Sequence, residues 1–323
     1  MITTFSSSNN YLPIPVTESN IGLIKTAVWV DMLCPTSLEE KWVEKALSLS
    51  IPTQEEMREI EASSRLYHNH DALFMTATMV AQSSLVRPKY DAVTFILTQY
   101  QLITVRYIEP KSFQVYASSL AKKTLNLGDE ALDVFLSLLE TSVDRIADVL
   151  EVVGITLDDY SEQVFEYESQ PQKLDYKQLM HNIGTRSNLN TKARESLVTL
   201  SRLMGFFLYT ADNRLDKEGH LRVSTLNKDL LSLSDYANFI SNKVNFLLDA
   251  TLGMVSIEQS AIIKIFSVAA VIFLPPTLIA SIYGMNFQYM PELAFKWGYE
   301  FAICLMVFSA WLPYKYFKYK KWL

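Results

Sequence analysis

Two cysteines in 323 residues exclude a disulfide framework: Cys34 and Cys304 lie in stretches of different character and are not expected to meet. Histidine is as scarce, with four in the chain. His68 and His70 would share one face of a strand, but with at most Asp71 beside them they fall short of a transition-metal set. Neither a Ser/His/Asp constellation nor a glycine-rich phosphate loop is present, so no enzyme and no resident cofactor is expected. The net charge is −6, with no basic stripe outside the last few residues, which argues against a nucleic-acid partner. At the N-terminus no basic segment precedes an apolar core, so no secretory signal is expected and the long N-terminal part should be cytosolic. Proline is nearly missing from the middle of the chain, where only Pro171 stands between Pro110 and Pro275. That absence permits very long helices.

Charge is missing from Ile265 to Tyr283, close to the ~20 residues a helix needs to cross a bilayer. On a helical wheel Ser267, Thr277 and Ser281 fall within an arc of roughly 80°, with Tyr283 opposite. Ala270, Leu274, Ile263, Ser260, Ser256 and Asp249 continue the same line toward the N-terminus. Hydroxyls gain nothing from lipid, so this face should meet protein, as a small-residue packing surface, or water, as a pore lining. Pro275 and Pro276 sit inside the stretch and free backbone carbonyls there. A second apolar segment, Trp297 to Tyr314, carries aromatic residues at both ends, and Lys315, Lys318, Lys320 and Lys321 follow it. The lysines place the C-terminus, and with two spans the N-terminal domain, in the cytosol.

The pattern divides the chain into an α/β cytosolic domain at 1–154, a helical hairpin region at 155–222, a stalk helix running into the first span at 223–284, an outer loop at 285–296, a second span at 297–316 and a basic tail at 317–323. Strands are expected at Thr26–Asp31, Ser64–His70, Leu73–Val80, Ala92–Thr98 and Leu102–Ile108. Helices are expected at Ser37–Leu49, after Thr53 with a Thr53/Glu56 capping box, and as two segments over Ser112–Gly154. Leu174 to about Asn213 reads as helix broken near Asn182–Asn190, followed by a turn at Asp216–Gly219. From about Ser224 the helical pattern reaches Gly284, a length of ~90 Å at 1.5 Å per residue. So long a helix needs partners, and a self-associating bundle is expected. Asp158, Asp159, Glu162 and Glu166 make an acidic face, solvated or cation-attracting.

Tyr283-Gly284-Met285-Asn286-Phe287 followed by Met290-Pro291-Glu292-Leu293, a second span and a lysine-rich end resembles the CorA family of divalent-cation channels. The likeness also covers Lys243–Asp249, Ile257–Gln259, Ile262–Ser267, Ala27–Asp31 and Glu59–Ser63. It implies a mixed sheet covered by helices, a long stalk helix, two transmembrane helices and a homopentamer in the inner membrane, with both termini cytosolic. It implies a selectivity filter of Gly284, Met285 and Asn286, where neutral oxygens hold a hydrated Mg²⁺ without trapping it. Ser281, Thr277, Leu274, Ala270, Phe266 and Ile263 would line and gate the pore, with Asp249 and Glu292 attracting cations. Uptake of Mg²⁺, and of Co²⁺ or Ni²⁺, would run down the electrochemical gradient and be closed by cytosolic Mg²⁺. Asp229 or Asp235 would serve that regulation, because Thr225 stands where some relatives carry the stalk aspartate. A zinc transporter of the same superfamily is the neighbouring alternative, and a membrane-anchored scaffold or sensor is the alternative of another class.

Overall fold

The computed structural model describes residues 1–69, 72–82, 88–120, 130–165, 175–286, 288, 290–291, 296–320 and 322. Two compact units make up the chain, Met1–Leu248 and Asp249–Leu323.

The first unit is built on a seven-stranded mixed sheet of order β2-β1-β3-β7-β6-β5-β4. The strands are β1 (Ile2–Phe5), β2 (Ile14–Pro15), β3 (Trp29–Leu33), β4 (Leu66–Asn69), β5 (Ala72–Ala81), β6 (Lys89–Leu97) and β7 (Leu102–Arg106). All neighbours are antiparallel except β3 and β7, which run parallel with Trp29 opposite Leu102. Because side chains alternate along a strand, each central strand feeds two cores. Val30, Met32, Ile103, Val105, Ile96 and Phe74 pack with Ile24 of α1 (Leu23–Thr26), Val43 of α2 (Ser37–Leu47) and Met57 of α3 (Gln54–Arg58). On the other face Trp29 stacks on Phe5 at 4.4 Å and meets Tyr116, while Phe95, Phe135 and Phe207 form a ring ladder. Each such fully buried ring stabilises by about 1.5–3 kcal/mol. That second face is covered by α5 (Lys111–Leu120), α6 (Glu130–Phe165) and α7 (Tyr176–Ala211); the short α4 (Ala62–Arg65) leads into β4.

Helix α2 starts at a capping box of Thr36 and Glu39, and α3 at the expected one of Thr53 and Glu56. Four expected strands are found with shifted ends, whereas Ser64 and Arg65 of the fifth belong to α4. Strands β1 and β2 were not expected, being too short to show a period. The expected break at Asn182–Asn190 is absent. Leu179, Ile183, Leu189 and Ala193 are buried there, and Asn190 donates to the Ala237 carbonyl at 3.0 Å, so tertiary contacts hold α7 continuous. Helix α6 runs through the boundary expected at Gly154. Helix α8 (Lys217–Tyr283) begins inside the turn expected at Asp216–Gly219, where the Asp216 side chain accepts from the Gly219 amide at 2.7 Å and so starts the helix. In the second unit α9 occupies Gly298–Tyr319.

Candidate functional site: an exposed stripe on the uncharged part of α8

Among the described residues, α8 is the one helix long and apolar enough to cross a membrane, and its most apolar part is almost wholly uncovered. The expected second span falls on α9, whose Glu300, Lys315 and Lys318 make it less apolar. Ile263, Phe266, Ala270, Leu274, Thr277, Ser281 and Gly284 are all exposed, at spacings of three and four residues that keep them on one side of the helix. Lys264, Val268, Ile272, Pro275, Pro276, Ile279 and Tyr283, between them in sequence, are buried or half-buried. The uncovered side thus includes the expected pore residues, together with Ile265, Val271, Phe273, Leu278 and Ile282. Ile263 is 58% exposed, Phe266 71% and Leu274 65%, so among the described residues the apolar members of the stripe are mostly uncovered.

Two hydroxyls on this side of the helix are already engaged as donors. Thr277 Oγ1 donates to the Phe273 carbonyl at 2.7 Å and Ser267 Oγ to the Ile263 carbonyl at 2.8 Å. A serine or threonine hydroxyl has one proton, so what remains free on the oxygen is acceptor capacity. An acceptor facing outward suits the water shell of a cation, whose hydrogens point away from the ion.

At the C-terminal end of α8 the Gly284 amide donates to the Ala280 carbonyl at 3.0 Å and the Met285 amide to the Ile282 carbonyl at 3.2 Å. A Cβ on Gly284 would lie 3.1 Å from the Ala280 oxygen, so any larger residue crowds this last turn. Gly284, Met285 and Asn286 are exposed, which leaves the Asn286 amide uncovered. Asp249 is also exposed. Glu292, Phe287, Glu166, His70 and Asp71 lie outside the described residues. Among the described residues no group of three or more His, Cys, Asp or Glu could hold a metal ion.

In the first unit α8 is fastened to α6. Arg222 bonds Asp133 and, through Nε and Nη2, both Glu140 oxygens at 2.8 and 2.9 Å; Nη2 also reaches Ser137 Oγ at 2.9 Å. Burial alone would weaken the charged guanidinium, but Glu140 and Asp133 outweigh it and hold Arg222 above the usual arginine value. Asp133 is one reason, after burial itself, that the Tyr116 hydroxyl is pushed up. Farther along, Lys243 pairs with Asp158, which takes that acid out of the proposed cation-attracting face. The two regulatory candidates, both exposed, separate here: Asp229 lines a cavity of about 400 Å³ with Glu140, Asp144, Arg222 and Thr225, and Asp235 lies outside it. Glu140 and Asp144 were not singled out in the sequence. Their i, i+4 spacing on an amphipathic helix was the available signal, and it is a common one.

The family described as CorA-like Mg²⁺ transporter protein matches residues 25–320. A magnesium transport protein CorA of Pasteurella multocida is 34% identical over 323 residues, covering 100% of both chains. The complete structure of a CorA magnesium transporter from Methanocaldococcus jannaschii covers 100% of this chain and 99% of its own, at TM-score 0.80 and 16% identity. A structure of the soluble domain of that archaeal protein covers 78% of this chain and 97% of its own, at TM-score 0.63 and 14% identity. At these identities the two structures speak for the fold alone.

Proposed function

This chain belongs to the CorA-like Mg²⁺ transporter family, a family of ion transporters rather than enzymes, and from that membership we propose that it is a magnesium channel of the cytoplasmic membrane. Copies of α8, five by family resemblance, surround a water-filled axis, with the line from Ile263 to Ser281 as lining and Gly284, Met285 and Asn286 as the outer filter. Two spans per chain, α8 and α9, leave both termini in the cytosol.

One observation carries this reading: on the uncovered side of α8, Ile263, Phe266, Ala270, Leu274, Thr277 and Ser281 share one line that carries apolar groups and hydroxyls toward the exposed Gly284-Met285-Asn286 end. Mg²⁺ gives up water reluctantly, so a filter of amide and carbonyl oxygens that touches only the hydration shell can bind the ion and release it. Leu274, Phe266 and Ile263 form constrictions that close by excluding water. The membrane potential supplies the direction, since a dication moving inward gains about 4.6 kcal/mol per 100 mV. Exposed Asp249 concentrates cations below the gate. Co²⁺ and Ni²⁺, which also travel hydrated, are admitted as well. Cytosolic Mg²⁺ closes the channel through Asp229, which is favoured over Asp235 by the acids across its cavity.

The test is dication uptake into proteoliposomes, with Mg²⁺, Co²⁺, Ni²⁺ and Zn²⁺ compared. Mg²⁺ influx should be present in the full chain and fall to background in Asn286→Ala, with the variant still assembled. Unchanged influx in that variant would remove the filter from Asn286, and a chain that passes Zn²⁺ but not Mg²⁺ would favour the zinc alternative.

A further inference from the structure

Lys264 is the last charge before the uncharged part of α8, directly after Ile263 and two residues before Phe266. It stands 100° around the helix from Ile263, so its long side chain can reach toward the exposed stripe or away from it. Turned toward the stripe, the ammonium would stand at the inner end of the passage and repel a dication there. The structure turns it away. Lys264 is half-buried, and its Nζ lies over the Trp322 ring, 5.2 Å from the centroid. Trp322 is itself held in place: its ring stacks on Phe317 at 5.5 Å with an interplanar angle of 18°, and its amide donates to the Phe317 carbonyl at 3.0 Å. Among the described residues Lys264 has no carboxylate within ion-pair distance, so the indole face is what receives its charge.

We propose that Trp322 is a positioning residue for conduction, holding the Lys264 ammonium off the ion path through a cation–π contact so that the inner constriction at Ile263 and Phe266 stays uncharged. The inference rests on the pore reading above. It assigns the aromatic residue beyond α9 a task other than anchoring at the lipid interface.

Four variants of the full chain test it in proteoliposomes: Trp322→Leu, Trp322→Phe, Lys264→Gln and the double Trp322→Leu/Lys264→Gln, each checked for assembly by gel filtration. Leucine keeps apolar bulk at the interface but has no π face. Trp322→Leu should lower initial Mg²⁺ influx about threefold, the population shift that a cation–π contact at a partly exposed site supports. Trp322→Phe should recover most of the loss. Lys264→Gln should conduct at least as well as the natural chain, and in its background Trp322→Leu should have no effect. Because the defect is electrostatic, raising the ionic strength from roughly 0.01 M to 0.15 M should shrink it. Equal loss with and without Lys264, or no loss at all, overturns the proposal and leaves Trp322 as an anchor. Failure of the pore reading is seen separately, as Mg²⁺ influx that survives Asn286→Ala. If Trp322→Leu does not assemble, Trp322→Met decides, alone and combined with Lys264→Gln: a methionine variant that loses flux only when Lys264 is present supports the clasp, and one that loses it regardless, or not at all, sinks it.

Discussion

Asp31 lies in a central strand, 7% exposed, where an isolated carboxylate would be costly. It survives because Arg106 of β7 meets it twice, through Nε at 3.0 Å and Nη2 at 2.7 Å, and Thr104, which also accepts from the Trp29 indole, donates to it at 2.8 Å. Arg106 further donates to the Ile108 carbonyl and lies over the Phe113 ring. Removing one partner strands the other, so Arg106→Met should cost about 3–5 kcal/mol, while Asp31→Leu with Arg106→Met should recover much of it. Urea midpoints of a chain ending at Leu248 measure both. The strand carrying Asp31 was legible in the sequence; the reason for an acid there was not, because its partner is far along the chain. Asp91 makes the pH-dependent counterpart. Burial would raise its pKa, but Arg58, the Ala92 amide and Gln54 outweigh burial and hold it below the usual aspartate value of 3.8. A depressed carboxylate contributes stability that is present above 3.8 and lost as pH falls through the folded-state value. The stability gap between the natural chain and Arg58→Met should therefore be constant from pH 7 to pH 5 and close toward pH 3. A gap that persists at pH 3 would show that the pair acts through packing instead.

At the level of elements, long helices were foreseeable from missing proline, but how they fasten to one another was not. Glycine at 154 is where α6 and α8 come close: a Cβ there would lie 2.3 Å from the Tyr236 hydroxyl oxygen and 3.4 Å from Cζ. The sequence marks Gly154 only as a weak helix residue and invites a domain boundary, whereas the structure makes it a seat for a tyrosine. Removing the hydroxyl makes room for a methyl group. Gly154→Ala alone should be close to neutral, because the helix gain of about 1 kcal/mol is spent on displacing Tyr236. In a Tyr236→Phe background the same change should stabilise by up to about 1 kcal/mol. Thermal midpoints of the four chains form the cycle, and strict additivity would mean that the two residues do not touch. The broken α7 was misjudged for a related reason. Asn182 to Asn190 is polar enough to end a helix, yet Asn190 also donates to Ser241 Oγ at 2.9 Å and thereby ties α7 to α8.

For the molecule as a whole, the first unit buries its sheet on both faces but leaves apolar residues on α8 uncovered. Leu231 is 63% exposed, Phe239 59% and Phe246 57%, and with exposed Leu221 they fall within roughly 80° of the helix wheel. A stripe of this kind is too regular to be scattered surface, and another copy of the same chain is the partner that a helix of this length calls for. Helix length in the sequence called for self-association, and these exposed side chains are where a second copy would fit. Phe239→Glu with Phe246→Glu places a charge on each copy where copies should meet, and each copy repeats the penalty. The double variant in detergent should sediment as a smaller species than the natural chain, and its helical circular dichroism should be unchanged, since neither ring belongs to the sheet core. It should also lose Mg²⁺ influx, because a stripe that lines a passage needs neighbours to close it. An assembly of natural size with normal influx would place the contact between copies on another face.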